Sequence, residues 1–237
     1  ISSVTYPTCN GSYKADADIS VQVNFSAAVD VTGTPALALN SGGTASYVSG
    51  TGTATLNFTY TVGAGQSSSD LDYSATNSLS LSGGTINDHA YGLAATLTLP
   101  SPGAAGSLGA NKAIVIDTQT PTLTPVGIAS NNTNTAKARV GDTVTVSFTS
   151  SEAIATPAAT IDGQTATVSN TSGNDWTATY TLQNTDTEGL LPLSITFADV
   201  TGNAGTAVTA TGNSSSVTFD HTAPALSSVG IASNNTN

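Results

Sequence analysis

Apolar and polar residues alternate through Ile19-Ser-Val-Gln-Val-Asn-Phe25, so that Ile19, Val21, Val23 and Phe25 share one face of a half-buried β-strand. Val144-Thr-Val-Ser-Phe148 repeats the pattern, again ending in Phe, and reads as the same strand in a second copy. Further alternating runs predict strands over 45–48, 53–62, 94–99 and 112–116, and then over 158–161, 166–168, 176–182, 193–197 and 216–219. Turn signals separate them: Ser41-Gly-Gly43, Gly50-Thr-Gly52, Asp162-Gly163 and Ser172-Gly-Asn-Asp175. No segment carries a helical stripe. Roughly seven strands per hundred residues, with frequent turns, predict an all-β chain of immunoglobulin-like Greek-key sandwiches. An up-and-down barrel is the alternative.

Two copies of one nonapeptide organise the chain. Val-Gly-Ile-Ala-Ser-Asn-Asn-Thr-Asn stands at 126–134 and again at 229–237, each copy after an acid-and-proline junction, Asp117-Thr-Gln-Thr-Pro121 and Asp220-His-Thr-Ala-Pro224. The two aspartates are about a hundred residues apart, the size of a self-contained domain and too long for a solenoid turn. The expected organisation is therefore tandem units joined end to end by short linkers: 1–118, the more irregular, 119–222, and the first strand of a further, incomplete repeat over 223–237.

Composition supports strands and turns. Charged residues make up only 8% of the chain, there is one Trp and no Met, and the net charge is −11. Such a surface repels a phosphate backbone, which argues against a nucleic-acid partner. A lone Cys9 excludes an internal disulfide framework. No apolar run approaches membrane-spanning length, and no charged-then-apolar leader opens the chain, so an export signal is expected outside it.

Tyr13-Lys-Ala15, Asn24-Phe-Ser26, Asp70-Leu-Asp-Tyr73, Ala94-Thr-Leu-Thr-Leu-Pro100 and Ala110-Asn-Lys-Ala-Ile-Val-Ile-Asp117 resemble the Ig-like repeats of giant bacterial surface proteins, the RTX-type and biofilm adhesins. In the second unit Gly141-Asp142, Ser151-Glu-Ala153 and Asp199-Val-Thr-Gly-Asn203 carry the same resemblance. It implies an extracellular, cell-surface stalk, stiffened by calcium, whose partners are neighbouring repeats of the same chain and a host or substrate surface.

The acids can be placed on the predicted fold independently. In a seven-strand sandwich the B–C and F–G loops share the pole at which the chain enters. Glu152 follows the second unit's B strand, Asp199 begins its F–G loop, and Asp117 arrives from the linker, so three carboxylates are expected to converge at the junction of the two units. Oxygen-only ligands point to Ca2+. Asp220 is the corresponding acid for the junction to the next unit. In the first unit Asp88 and Asp30 are weaker candidates, because Ala27 stands where the family has Glu. At the opposite poles, Asp16 and Asp18 are paired with Asp70 and Asp72, and Asp142 with Asp186 and Glu188. The alternative to metal binding is that each acid caps its own turn.

Catalysis finds no constellation. His89 and His221 lie in turns without a nucleophile elbow, so no enzyme is expected. Trp176, alternating with Ala178 and Tyr180, reads as a core residue; exposed, it would favour a carbohydrate- or surface-ligand-binding module instead. A third reading is a self-assembling filament or sheath subunit, in which residues 225–237 add as a strand to another copy.

Overall fold

Thr, Val and Ile suit a pleated, half-buried surface because branching at Cβ restricts χ1 and packs well across neighbouring strands. The computed structural model of the chain, which describes residues 1–7 and 9–234, is built of such strands and one four-residue helix, Leu108–Asn111. The chain divides into two compact units. One comprises Ile1–Thr120 with Thr201–Asn203, the other Pro121–Val200 with Ala204–Asn237.

In the first unit the strands are β1 (Ser3–Thr5), β2 (Gly11–Tyr13), β3 (Asp18–Thr32), β4 (Ala36–Ala38), β5 (Thr44–Ser49), β6 (Thr53–Thr61), β7 (Leu79–Ser80), β8 (Thr85–Asp88) and β9 (Ile114–Ile116). β3 is its spine. Ile19, Val21 and Val23 are fully buried, while Ser20, Gln22 and Asn24 turn to the other face. Halfway along, β3 changes partner: Asp18–Asn24 pair with β6, and beyond a register break Val29–Thr32 pair with β8. The sheet runs β1-β3-β6-β5-β4-β7, and β2 and β9 form a separate parallel pair.

The second unit contains β10 (Leu123–Ser130), β11 (Lys137–Ala138), β12 (Thr143–Ser150), β13 (Ala158–Ile161), β14 (Gln164–Thr165), β15 (Thr167–Ser172), β16 (Asp175–Thr181), β17 (Gly189–Leu190), β18 (Leu193–Thr196) and β19 (Thr218–Phe219). One sheet has the order β10-β12-β16-β15. These are strands A, B, E and D of an immunoglobulin constant-type sandwich. Across the core lie β14-β13-β18 and β11-β19-β17. β17 and β18 are one F strand interrupted at Pro192, whose nitrogen has no hydrogen to donate to a ladder. Val146, Ala178, Ile161 and Ile195, drawn from both layers, meet in one buried cluster.

The sequence reading needs three adjustments. The run over 94–99 makes a single bridge, Asn87 to Ala94, and is otherwise not a strand, although Leu99 is buried. The two Phe-ended strands are offset by two residues. Asp18 faces Thr61 and Thr143 faces Thr181, with equivalent turns beside them, so Phe148 occupies the place of Val23 and Ser150 that of Phe25. Finally, residues 221–234 form no strand, and Leu226, Val229 and Ile231 are exposed. Their first copy, by contrast, buries Val126 and Ile128 against β12. The rest of the expected further strand, 235–237, lies outside the described residues.

Candidate functional site

Glu152 and Asp199 are brought together by the second unit's own strands. β12 ends at Ser150, whose hydroxyl donates to the Glu152 carbonyl at 2.6 Å. Ser151 is tied to the start of the unit: its N–H donates to the Thr122 carbonyl at 2.9 Å, and its hydroxyl accepts from the Thr122 N–H at 2.9 Å. Two residues after Glu152, Ile154 bridges antiparallel to Asp199, and the Ala155 N–H donates to the Ala198 carbonyl at 3.0 Å. The segment after strand B therefore runs beside the start of the F–G turn, and carboxylate oxygens of Glu152 and Asp199 lie within 4.8 Å of one another. Asp199 is only 2% exposed.

The turn that carries Asp199 is held by close packing. The Gly205 N–H donates to the Phe197 carbonyl at 3.0 Å, and a Cβ on Gly205 would fall 2.2 Å from the Phe197 ring. Two ionised carboxylates at this separation repel by roughly 3 kcal/mol at an effective dielectric near 20. A shared cation offsets that repulsion. Oxygens bound at about 2.4 Å to one calcium ion lie at most about 5 Å apart. The pair thus fits calcium in both donor chemistry and spacing.

Asp117 follows β9. Its N–H donates to the Tyr13 carbonyl at 3.0 Å and its Oδ1 accepts from the Gln119 N–H at 3.0 Å, so the linker opens as an Asx turn. Its carbonyl accepts from Asn203 Nδ2 at 3.0 Å. Asp220 repeats the arrangement: its N–H donates to the Ala138 carbonyl at 3.1 Å and its Oδ1 accepts from Thr222 N–H at 2.9 Å.

The first-unit acids are occupied otherwise. Asp30 Oδ1 lies 2.9 Å from His89 Nδ1, and this contact raises the His89 pKa above its ordinary value. Asp88 Oδ1 accepts the N–H groups of Ala90 and Tyr91. Neither belongs to a group of three metal-capable side chains among the described residues.

The distal pairings expected from sequence are not made as metal clusters among the described residues. Asp18 accepts from the Thr61 hydroxyl, and buried Asp72 accepts the N–H groups of Tyr73 and Gly103. Asp142 accepts from Asn132 Nδ2 and the Arg139 N–H, which hold its carboxyl below the ordinary range. Glu188 lies against the His221 N–H, and Asp186 accepts from the Tyr180 hydroxyl and the Gln183 N–H. Hydroxyl, amide and backbone N–H donors, rather than a shared cation, satisfy these acids in the structure.

One structural device escaped the sequence reading. Tyr60 donates to Gln66 Oε1 at 2.7 Å, and Gly63 N–H donates to the same oxygen at 2.8 Å. Tyr180, Gln183 and Asp186 repeat this turn at the same spacing. Its signal is Tyr-Thr-Val/Leu followed four residues later by Gln or Asp, in Tyr60-Thr-Val-Gly-Ala-Gly-Gln66 and Tyr180-Thr-Leu-Gln-Asn-Thr-Asp186. Trp176 is half-buried against the second core, with its indole nitrogen enclosed, and offers no exposed platform.

The strand order defines an immunoglobulin-like β-sandwich protein. No family model matches the chain, and no curated protein matches it. Among solved structures it is similar to the fibronectin(III)-like modules of Clostridium thermocellum CbhA, at 14% identity over 92% of this chain and 93% of that one, with a TM-score of 0.33. It is also similar to Rst D1-D2, at 10% identity over 93% of this chain and 100% of that one, with a TM-score of 0.35. A third is the Bacteroides ovatus mixed-linkage glucan utilization locus protein SGBP-B, in complex with a mixed-linkage heptasaccharide, at 18% identity over 92% and 46%, with a TM-score of 0.22. These superpositions are loose, and the fold assignment rests on the strand pairing itself.

Proposed function

We propose that the chain is a spacer segment of a large extracellular bacterial surface adhesin, in which immunoglobulin-like units are stiffened by calcium. The observation that carries this reading is the Glu152–Asp199 pair at the start of the second unit. In this reading Asp117 supplies the third carboxylate from the linker. Thr122 is pinned to Ser151, and Asp117 precedes it by five residues, a span of at most about 17 Å. A calcium ion held by Glu152 and Asp199 would offset their mutual repulsion and fix the two loops of the second unit that carry them. The protein's own residues orient the ligands: Ser150 and Ser151 hold the Glu152 segment, and the Ile154–Asp199 bridge holds the other acid beside it.

The test is thermal unfolding and small-angle scattering of the 237-residue chain in calcium and in chelator. Calcium is expected to raise the melting temperature and narrow the distribution of end-to-end distances. Identical melting and scattering in the two conditions would remove calcium from the function.

A further inference from the structure

The last segment of the second unit, G, does not follow its F strand throughout. Ile195 and Val208 exchange backbone bonds, the Ile195 N–H donating at 2.9 Å and the Val208 N–H at 3.0 Å. Nearer the start of F, the Leu191 N–H donates to the Val217 carbonyl at 2.9 Å. Four residue steps of F lie between these two contacts, against nine of G, and the surplus loops out of the ladder. The loop is anchored elsewhere. The Gly212 N–H donates to the Val126 carbonyl at 2.9 Å, and the Ser215 hydroxyl accepts from the Ile128 N–H at 2.8 Å, so the surplus residues lie along the outer edge of β10. Gly127 admits this course, since a Cβ there would fall 2.7 Å from Asn213 Nδ2.

Leu193 is left between the two contacts. The Asp162 N–H donates to the Pro192 carbonyl, so in the alternating antiparallel ladder Ser194 and Thr196 face β13, while Leu193 and Ile195 turn their backbone groups toward G. Ile195 meets Val208 there, but the Leu193 N–H and carbonyl meet no hydrogen-bond partner among the described residues. Beside them runs a groove of about 330 Å³, walled by Leu190, Leu191 and Pro192 and reaching Ile128 of the opposite sheet, with Ala210 on its lip. A continuous G strand would set an inward-facing side chain opposite Leu193. Val208 and Val217 pack against the core on either side of that place, and the groove occupies it.

We propose that this gap is a strand-addition site for an extended peptide segment of another protein, carrying valine or isoleucine between two small residues. The guest's central N–H donates to the Leu193 carbonyl, its central carbonyl accepts from the Leu193 N–H, and its branched side chain fills the groove against Ile128. The class of guest follows from the gap. An N–H and a carbonyl side by side on one extended residue are complemented by one residue of another extended chain. Four residue steps of strand span about 13 Å, which admits roughly three extended residues between Val208 and Val217. Aliphatic walls favour an aliphatic side chain, and small flanking residues keep clear of the G chain at both ends. The site lies within the second unit and needs neither calcium nor a neighbouring repeat.

The probe is the capped tripeptide N-acetyl-Ser-Val-Ser-amide, titrated into the 237-residue chain in chelator and followed by backbone amide spectra. The expected result is a saturable shift at Leu193 and Ala210, with slower hydrogen exchange at the Leu193 amide. Replacing the central valine by glycine removes the side chain, and replacing it by N-methylvaline removes the donor; each should weaken binding by about tenfold. Ala210→Phe, at an exposed position on the lip, should abolish the Leu193 shift without lowering the melting temperature. If that variant fails to fold, the three peptides on the unchanged protein still decide. The proposal is overturned by the absence of a saturable shift at Leu193, or by equal binding of all three peptides. A Leu193 shift that grows with protein concentration in the absence of peptide assigns the groove to a second copy, and also overturns it.

Discussion

The hydroxyl of Tyr60, at the end of strand β6, donates to Gln66 Oε1 at 2.7 Å, and six residues likewise separate Tyr180 from its acceptor Asp186 in the second unit. In both units the acceptor side chain also takes a backbone N–H from the residue three after the tyrosine, at Gly63 and Gln183. The turn after strand E is thus clamped from two directions by one side chain. In the first unit Tyr60 is 1% exposed and accepts a further bond from the Ser41 hydroxyl, so the network is buried as well as shared.

Removing that hydroxyl leaves Gln66 and Ser41 short of a partner inside the protein. Tyr60→Phe is expected to destabilise the first unit by about 1–2 kcal/mol, the cost of unsatisfied buried groups. For a unit of this size each kcal/mol corresponds to roughly 4–8 °C in melting temperature. Amide exchange at Gly63 is the local check: it should accelerate in Tyr60→Phe, whereas Gln183 in the second unit should be unaffected.

His89 and Asp30 give a pH dependence whose sign follows from geometry. The carboxylate 2.9 Å from Nδ1 raises the His89 pKa above 6.5. A raised histidine pKa contributes stability that is fully present below the unfolded value and is lost as pH rises through the folded one. The pair is exposed, so the effect on stability is small. The titration is the better readout: the His89 ring should titrate above 6.5, and Asp30→Asn should bring it back toward that value.

Asp142 acts in the opposite direction. Asn132 Nδ2 and the Arg139 N–H favour its ionised form and lower its pKa from 3.8. Its contribution is present above that ordinary value and is lost as pH falls through the folded pKa. Acid titration of the second unit's melting temperature should therefore steepen below about pH 4. Asp142→Asn should lower the melting temperature at neutral pH and flatten the acid limb. An unchanged acid limb would show that other carboxylates carry it.

The strands themselves were legible because burial of one sheet face forces a period of two, and β12 and the first half of β3, up to Phe25, keep that period. The Phe25–Phe148 offset was not, since alternation records which face a residue occupies and says nothing about its rank along the ladder. The run over 94–99 failed for a related reason: Leu99 is buried, yet only Ala94 finds a backbone partner. Among the acids, Glu152 and Asp199 could be placed together because strand order alone carries the segments after B and F to one end. Asp142 and Asp186 could not, because their partners are N–H groups three residues away and nearby side chains, and Asp72 could not, because it is held by the adjacent Tyr73 N–H and the distant Gly103 N–H. Composition treats all these aspartates alike, and only the folded backbone separates them.

Packing around the Asp199 turn yields a prediction that does not depend on calcium. The Phe197 ring lies against Gly205 so closely that an added Cβ would sit 2.2 Å from it. Gly205→Ala is expected to displace the ring and cost roughly 1–3 kcal/mol, the usual range for overpacking. Amide exchange at Gly205 and Ala155, which tie the turn to its neighbours, should rise together.

The Glu152–Asp199 pair separates electrostatic strain from calcium binding by the sign of one substitution. With carboxylate oxygens within 4.8 Å of each other, two ionised side chains oppose folding of the loops that carry them. Glu152→Gln removes one charge while keeping the shape of the side chain, and leaves the Ser150 bond to the Glu152 backbone untouched. In chelator this variant should melt at or above the temperature of the unchanged protein, because the repulsion is gone. In calcium the order should reverse: the unchanged protein gains stability as the ion is bound, by an amount that grows with concentration above its dissociation constant, and the variant gains less. Extracellular modules of this ligand type bind calcium at about 10⁻⁴ to 10⁻³ M, so the comparison belongs between chelator and about 10⁻² M calcium. A variant that loses stability equally in both conditions would show Glu152 to be a structural residue rather than a metal ligand.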